Sequence, residues 1–299
     1  MAVDETNSLK ASAFRLKNGP DCGVRWTHAR WAAGHALAVH GVIIGLRATD
    51  TGTLTRLRPI LPPEWRTSRA TRVDRLYSIV GTGRRRGPAR GPQVVYRDCD
   101  EFIRPRDFEE LSRLLAGELS QAVATLAPRR VFVHAGVVGW KGRALLLPGR
   151  TLAGKSTLVT ALVRAGATYY SDEWAVLDDR GRVHPYPRPI SLRRSPEDGG
   201  GEEAIPVGEL GGRAGKKSLP VTLVVMTHFD RQSRWRPRPL SPALGALAML
   251  EHTVQTSRDP ARVLGVLRAV VSRAVVLTGP RGQATETAAA LLSRLSDLR

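Results

Sequence analysis

The stretch from Ala144 to Leu162, ALLLPGRTLAGKSTLVTAL, constrains this chain more than any other. It contains Gly149, Arg150, Thr151, Leu152, Ala153, Gly154, Lys155 and Ser156 in the pattern G-x-x-x-x-G-K-[ST], with Thr157 continuing it. The pattern has physical content only between a strand and a helix. There, successive backbone N–H groups and a helix N-terminus converge into a nest for phosphate oxygens. Both flanks comply. Leu145-Leu146-Leu147 reads as a buried strand, and the segment from Lys155 presents Leu158, Ala161, Leu162 and Ala165 on one helical face. Residues 149–157 are therefore expected to cradle a nucleotide, ATP with Mg2+. Lys155 would reach the β- and γ-phosphates and the Ser156 hydroxyl would hold the metal.

Such a loop needs a carboxylate to organise the metal and, for transfer to a hydroxyl, a base. "TYYSDEW" supplies Asp172 and Glu173 after an apolar strand, where a strand–helix–strand unit returns to the phosphates. Asp178-Asp179 lies in D-D-R-G, a turn signature, and reads as structural, as does His184 before Pro185. Cations to clamp a moving phosphoryl group are sought at Arg188, Arg193, Lys216 and Lys217. Glycines and charges dominate 198–217, which reads as a mobile loop and a candidate lid.

The rest of the chain sets the frame. Residues 1–22 read as a flexible tail, 23–127 as an α+β domain of unassigned role, and 128–299 as the P-loop catalytic domain. HALAVHGVIIGLRA reads as one or two strands, and VDRLYSIVG and PQVVYRDCD as a hairpin around an Arg84-Arg85-Arg86 loop. Leu111, Leu114, Leu115, Leu119, Ala122 and Val123 form a helical stripe within 108–126. Helices are expected at 242–252, 260–272 and 284–297, with the strand AVVLTG between the last two. From residue 130 onward strands and helices mix, an α/β plan.

Charge gives a competing reading. The chain carries 46 Lys and Arg against 27 Asp and Glu, a net +19, which would suit a nucleic-acid backbone. The cations are dispersed and aromatics make up only 5%, which favours surface arginine over a nucleic-acid face. No apolar run is long enough to cross a bilayer, and MAVDETNSLK lacks the layout of a secretory signal, so a cytoplasmic protein without membrane attachment is expected. Cys22 and Cys99 show no metal spacing and are expected as free thiols in that compartment.

The segment FVHAGVV…RALLLPGRTLAGKSTLVTALVRAGATYYSDEWAVL resembles the catalytic domain of bacterial HPr kinase/phosphorylase, a fold similar to nucleotide-binding phosphoenolpyruvate carboxykinase. The likeness covers about 130–295. It implies that Asp172 is the base accepting a hydroxyl proton, that Glu173 helps hold the metal, and that His134 supports the acceptor side. It also implies a homo-oligomer. Leu152 stands where the family has glycine, Thr151 where it has serine, and Glu173 where it has a second aspartate. The arginine-glycine-leucine-glycine signature tied to phosphorolysis is missing; Glu209-Leu210-Gly211-Gly212 comes nearest. The resemblance thus implies a kinase without phosphorylase activity, acting on a serine of a peptide or protein or on a small-molecule hydroxyl. Kept beside it are a regulatory P-loop ATPase, a nucleic-acid-binding protein and a carboxykinase-like activity.

Overall fold

The computed structural model describes residues 13–19, 31–81, 93–150, 153–193 and 200–298. It is mixed α/β and divides into two compact units, Met1–Pro128 and Arg129–Arg299. Residues 1–12, Cys22, Arg84–Arg86, Thr151 and Leu152 lie outside the described residues.

The first unit contains β1 (Arg15–Leu16), β2 (Ala33–Val39), β3 (Val42–Ala48), α1 (Thr51–Leu57), β4 (Arg66–Ser68), β5 (Arg72–Val73), β6 (Arg75–Gly81), β7 (Gln93–Arg97), β8 (Asp100–Ile103) and α2 (Phe108–Leu126). Six strands form one sheet in the order β4-β2-β3-β6-β7-β8, with β3 and β6 parallel. His40 and Gly41, both at positive φ, form the tight turn that folds 33–48 into a hairpin. Helix α2 starts where Asp107 accepts the Glu110 N–H at 2.8 Å, and it buries Leu111, Leu115, Leu119, Ala122 and Val123.

Two expectations fail in this unit. Part of the supposed tail is docked: Phe14 is buried with Ala36, Val73 and Leu76, and β1 pairs with β5. A chain end with a large apolar residue beside an open strand edge has somewhere to bury it. Cys99 is disulfide-bonded and no free cysteine is found among the described residues, against the free thiol expected there. Through-space pairing of distant cysteines is invisible in sequence spacing.

The second unit contains β9 (Val131–Trp140), β10 (Arg143–Pro148), α3 (Lys155–Arg164), β11 (Thr168–Ser171), β12 (Trp174–Leu177), β13 (Arg182–His184), β14 (Ile190–Arg193), β15 (Glu202–Ile205), β16 (Leu219–Phe229), β17 (Arg238–Pro239), α4 (Pro242–Leu250), α5 (Pro260–Val271), β18 (Val275–Arg281) and α6 (Ala284–Asp297). Its main sheet runs β10-β9-β12-β13-β16-β18-β17, with β11 on β9 and a further β10–β16 pairing. Alternation along β10 assigns the layers. Ala144 and Leu146 pack with Val263, Val266, Leu267 and Met249 of α4 and α5. Leu145 and Leu147 pack with Leu158 and Leu162 of α3 and Leu291 and Leu295 of α6. Helices therefore cover both faces, which is why these strands are apolar throughout.

Strands β10, β16 and β18 are mutually parallel, so their carboxyl ends open on the same side of the sheet. Pro148, Phe229 and Arg281 end them. In open α/β sheets this is the side where ligands bind.

No helix among the described residues is long and apolar enough to cross a membrane.

Candidate functional site

The loop after β10 is held by its own backbone. The Gly149 N–H donates to the His134 carbonyl at 3.3 Å, and the Ala153 N–H to the Arg150 carbonyl at 3.3 Å. Gly154 precedes α3 with φ 79° and ψ 21°, the left-handed conformation that glycine adopts without steric penalty. Among the described residues no side chain caps α3, which leaves the first N–H groups of the helix without a side-chain acceptor there. Lys155 folds back over the loop, its Nζ donating to the carbonyls of Gly149 (2.8 Å) and Arg150 (2.7 Å). Burial pulls its ammonium down to about 8, partly countered by Asp172.

Strand β11 returns antiparallel to β9 and delivers Asp172 to the start of α3. The Asp172 carboxylate is 9% exposed. It accepts from Ser156 Oγ at 3.2 Å, from the Tyr169 hydroxyl at 2.9 Å and from the Ser191 N–H at 3.1 Å. Burial raises its pKa and so weakens it as an acid, while the hydrogen bonds from Tyr169, Ser191 and Ser156 pull the other way. Glu173 turns towards Arg188, whose Nη1 donates to Oε2 at 2.8 Å. The Ser171 hydroxyl fixes the turn between the two strands by accepting the N–H groups of Glu173 and Trp174.

His134 sits opposite Trp174 across the β9–β12 pair, its ring 5.5 Å from the indole. The His134 backbone N–H donates to the His252 backbone carbonyl at 2.7 Å. Desolvation first, then Lys155 and His252, press its imidazolium down to about 4, so the ring is neutral at physiological pH. His252 is pushed down as well, mainly by burial. A neutral imidazole beside Lys155 can accept or donate a hydrogen bond without adding a cation.

Lys155, Ser156, Asp172 and His134 thus converge, with Glu173 next to them. Three contributors escape sequence reasoning: Tyr169, His252 and Arg281. Arg281 ends β18 at 2% exposure, and its Nη2 donates to the Gly154 carbonyl at 2.8 Å.

The expected clamps divide. Arg188 is at the site but ion-paired to Glu173. Arg193 lies on the β14–β15 hairpin opposite Glu202. Lys216 and Lys217 are elsewhere: with Arg213 they line a cavity of about 580 Å³ beside Gly166 and Thr168, past the other end of α3. Ten helical residues separate that end from the loop, about 15 Å at 1.5 Å per residue.

Within the expected 198–217 lid, of which 198–199 lie outside the described residues, the end from Gly212 to Gly215 is closely packed. A Cβ on Gly212 would lie 2.3 Å from Val163 Cγ1, and one on Gly215 would lie 2.2 Å from Tyr170 Cε2. The Gly215 N–H donates to the Tyr169 carbonyl at 2.7 Å. These glycines serve close packing, which composition alone cannot distinguish from flexibility. Asp178 and His184, read from the sequence as structural, bond to each other and to the turn. Asp178 accepts the Arg180 and Arg182 N–H groups, and its other oxygen lies 2.9 Å from His184 Nε2.

The donor set suits one kind of metal. Among the described residues no three His, Cys, Asp or Glu side chains form a metal-holding group. Ser156 and Asp172, with Glu173 adjacent, offer a few hard oxygens. That suits Mg2+, which keeps several waters and completes its shell with substrate phosphates.

Comparison with protein-family models and with curated proteins finds no match for this chain.

Proposed function

We propose that the second unit is an ATP-dependent kinase of the HPr kinase-like type, transferring the γ-phosphoryl group to a hydroxyl of a peptide, a protein or a small molecule. The observation carrying this reading is the 3.2 Å hydrogen bond between Ser156 and Asp172 beneath a G-x-x-x-x-G-K-S loop. A P-loop hydroxyl and a buried strand-end carboxylate in contact are the pair that shares Mg2+ in nucleotide sites. The Ser156 proton occupies the space between the two oxygens in the free protein.

In this reading the loop N–H groups and Lys155 hold the β- and γ-phosphates. Lys155 leaves the Gly149 and Arg150 carbonyls for the phosphate oxygens as the nucleotide enters. Ser156 and Asp172, with Glu173 adjacent, would hold Mg2+, which would supply neutralisation of the charge developing on the phosphates. The acceptor oxygen attacks the γ-phosphorus, forming a new P–O bond. The bond from the γ-phosphorus to the bridging oxygen breaks, and ADP leaves with the electron pair. The acceptor proton passes to Asp172, whose burial makes it a stronger base than a solvated carboxylate. Tyr169 and Ser191 keep that carboxylate aimed. His134, neutral and walled by Trp174, lines the acceptor side.

The test compares thermal unfolding of wild type and Lys155→Ala with and without Mg-ATP. At a hundredfold excess over Kd the wild type should gain roughly 2.7 kcal/mol and the variant almost nothing. Transfer of labelled phosphate to water or to screened hydroxyl acceptors should then disappear in Asp172→Asn. A wild type that unfolds identically with and without Mg-ATP sinks the proposal.

A further inference from the structure

Arg281 is a buried cation without a counter-ion among the described residues. Its guanidinium is 2% exposed in a chain with ample surface on which to place arginine. Nη2 donates to the Gly154 carbonyl at 2.8 Å and Nη1 to the Gly282 carbonyl at 3.0 Å. Nε has no partner among the described residues, and no carboxylate there forms an ion pair with the side chain. The ring of Phe229 lies 5.6 Å from the guanidinium carbon. Burial alone lowers its affinity for the proton. An arrangement of this kind is costly in isolation, because two carbonyls replace only part of the lost hydration and none of the missing charge.

The location supplies what is missing. Gly154 and Arg281 are 127 residues apart, yet each is shaped for the other. A Cβ on Gly154 would lie 2.6 Å from Arg281 Nη2, so glycine is the residue that admits the guanidinium. The Gly154 carbonyl also accepts the Leu158 N–H at 3.1 Å. The peptide joining Gly154 to Lys155 is trans, so its N–H points opposite to its C=O. Anchoring that oxygen behind the loop aims the Lys155 N–H out through the loop mouth. Arg281 therefore adds both a mechanical constraint and an unneutralised positive charge to the helix terminus.

We infer that Arg281 is a positioning residue for the polyphosphate of a nucleotide: it fixes the Gly154–Lys155 peptide from behind, and its charge is balanced when the phosphate chain binds. This inference rests on the nucleotide-site reading of the loop. It goes beyond that reading by giving the closing residue of β18 a phosphate-sensing task.

Arg281→Met and Arg281→Lys are compared with wild type for ligand-free melting temperature and for Kd of Mg-ATP and of inorganic pyrophosphate. Arg281→Met should melt no lower than wild type without ligand, since it removes an unpaired buried charge. It should bind both probes at least tenfold more weakly. Arg281→Lys, which keeps charge but loses the two-point grip, should fall between and covers the case of a misfolded Met variant. Equal affinities within twofold for folded variants would overturn the inference, as would a lowered melting temperature with unchanged affinity. A folded wild type that binds neither probe would remove the nucleotide reading itself, and this inference with it.

Discussion

The two ends of α3 carry similar chemistry on paper and different chemistry in space. Each gathers glycines and basic residues: Gly149, Gly154, Lys155 and Arg281 at one end, Gly211, Gly212, Arg213, Gly215, Lys216 and Lys217 at the other. At the first, Lys155 and Arg281 are largely or wholly withdrawn from water, and a buried carboxylate faces the helix. At the second, Arg213, Lys216 and Lys217 are exposed and no acidic residue lines the cavity. Burial strengthens each interaction at the first end, while solvent screens the charges of the second. Residue type alone does not distinguish the two ends; desolvation and convergence do.

Four measurements would break or sharpen this contrast. The largest effect is expected at Asp172→Asn, a loss of about 10²–10⁴-fold in transfer rate. The ligand-free protein should nevertheless melt no lower. Asparagine can accept from Ser156 and Ser191 through one atom and donate to the Tyr169 oxygen through the other. A marked drop in melting temperature would make Asp172 structural.

Next is pH. The Lys155 ammonium titrates at about 8 in the free protein, below the 10.5 of an unfolded chain. Binding to phosphate requires the charged form, so affinity for Mg-ATP should fall by about tenfold per pH unit above 8. Calorimetry in buffers of different ionisation heat should show proton uptake on binding in that range. Free-protein stability moves the other way, rising between about 8 and 10.5 because the unfolded chain then holds more protons. His134 gives the acid counterpart. Its folded value of about 4 lies below 6.5, so stability should decline as pH falls from 6.5 towards 4, and His134→Gln should flatten that decline. An unchanged acid limb in the variant would remove His134 from the account.

Gly215→Ala comes third, with a loss of about 1–3 kcal/mol in denaturant unfolding, because the new methyl collides with Tyr170. Nucleotide affinity of the folded fraction should be unchanged; a weakened affinity would connect the two ends of α3. The smallest effect belongs to Arg213→Ala, Lys216→Ala and Lys217→Ala combined. Mg-ATP affinity should change less than twofold, since these groups are exposed and about 15 Å from the loop. A tenfold loss would return them to the phosphate site.

Much of this architecture is legible in the chain. The stripe in 108–126 and the later apolar periods correspond to α2, α4, α5 and α6, and the aspartates at 107 and 259 cap two of them. Asp172 is legible because a P-loop requires a carboxylate and only one strand end nearby supplies it. Tyr169 is harder, since nothing in the sequence says which of the adjacent tyrosines faces Asp172; alternation along the strand sends Tyr169 to it and Tyr170 to the Lys217 carbonyl. Arg281 and His252 come to the site across long stretches of sequence through strand order and backbone pairing. The one local hint for Arg281 is a charge closing an apolar strand. Glycine misleads for a physical reason: the residue that loosens a free chain is also the one that lets two backbones meet.

The Tyr169 hydroxyl has one proton and two acceptors, Asp172 Oδ1 at 2.9 Å and the Arg188 carbonyl at 2.8 Å. It can satisfy only one of them at a time. Arg188 in turn holds Glu173 through its side chain, and Ser191, three residues on, holds Asp172 through its N–H. Whatever changes the demand of Asp172 for that proton is therefore felt by the main chain of 188–191. The phenol works like the beam of a balance, with the Asp172 carboxylate in one pan and the base of the β14–β15 hairpin in the other.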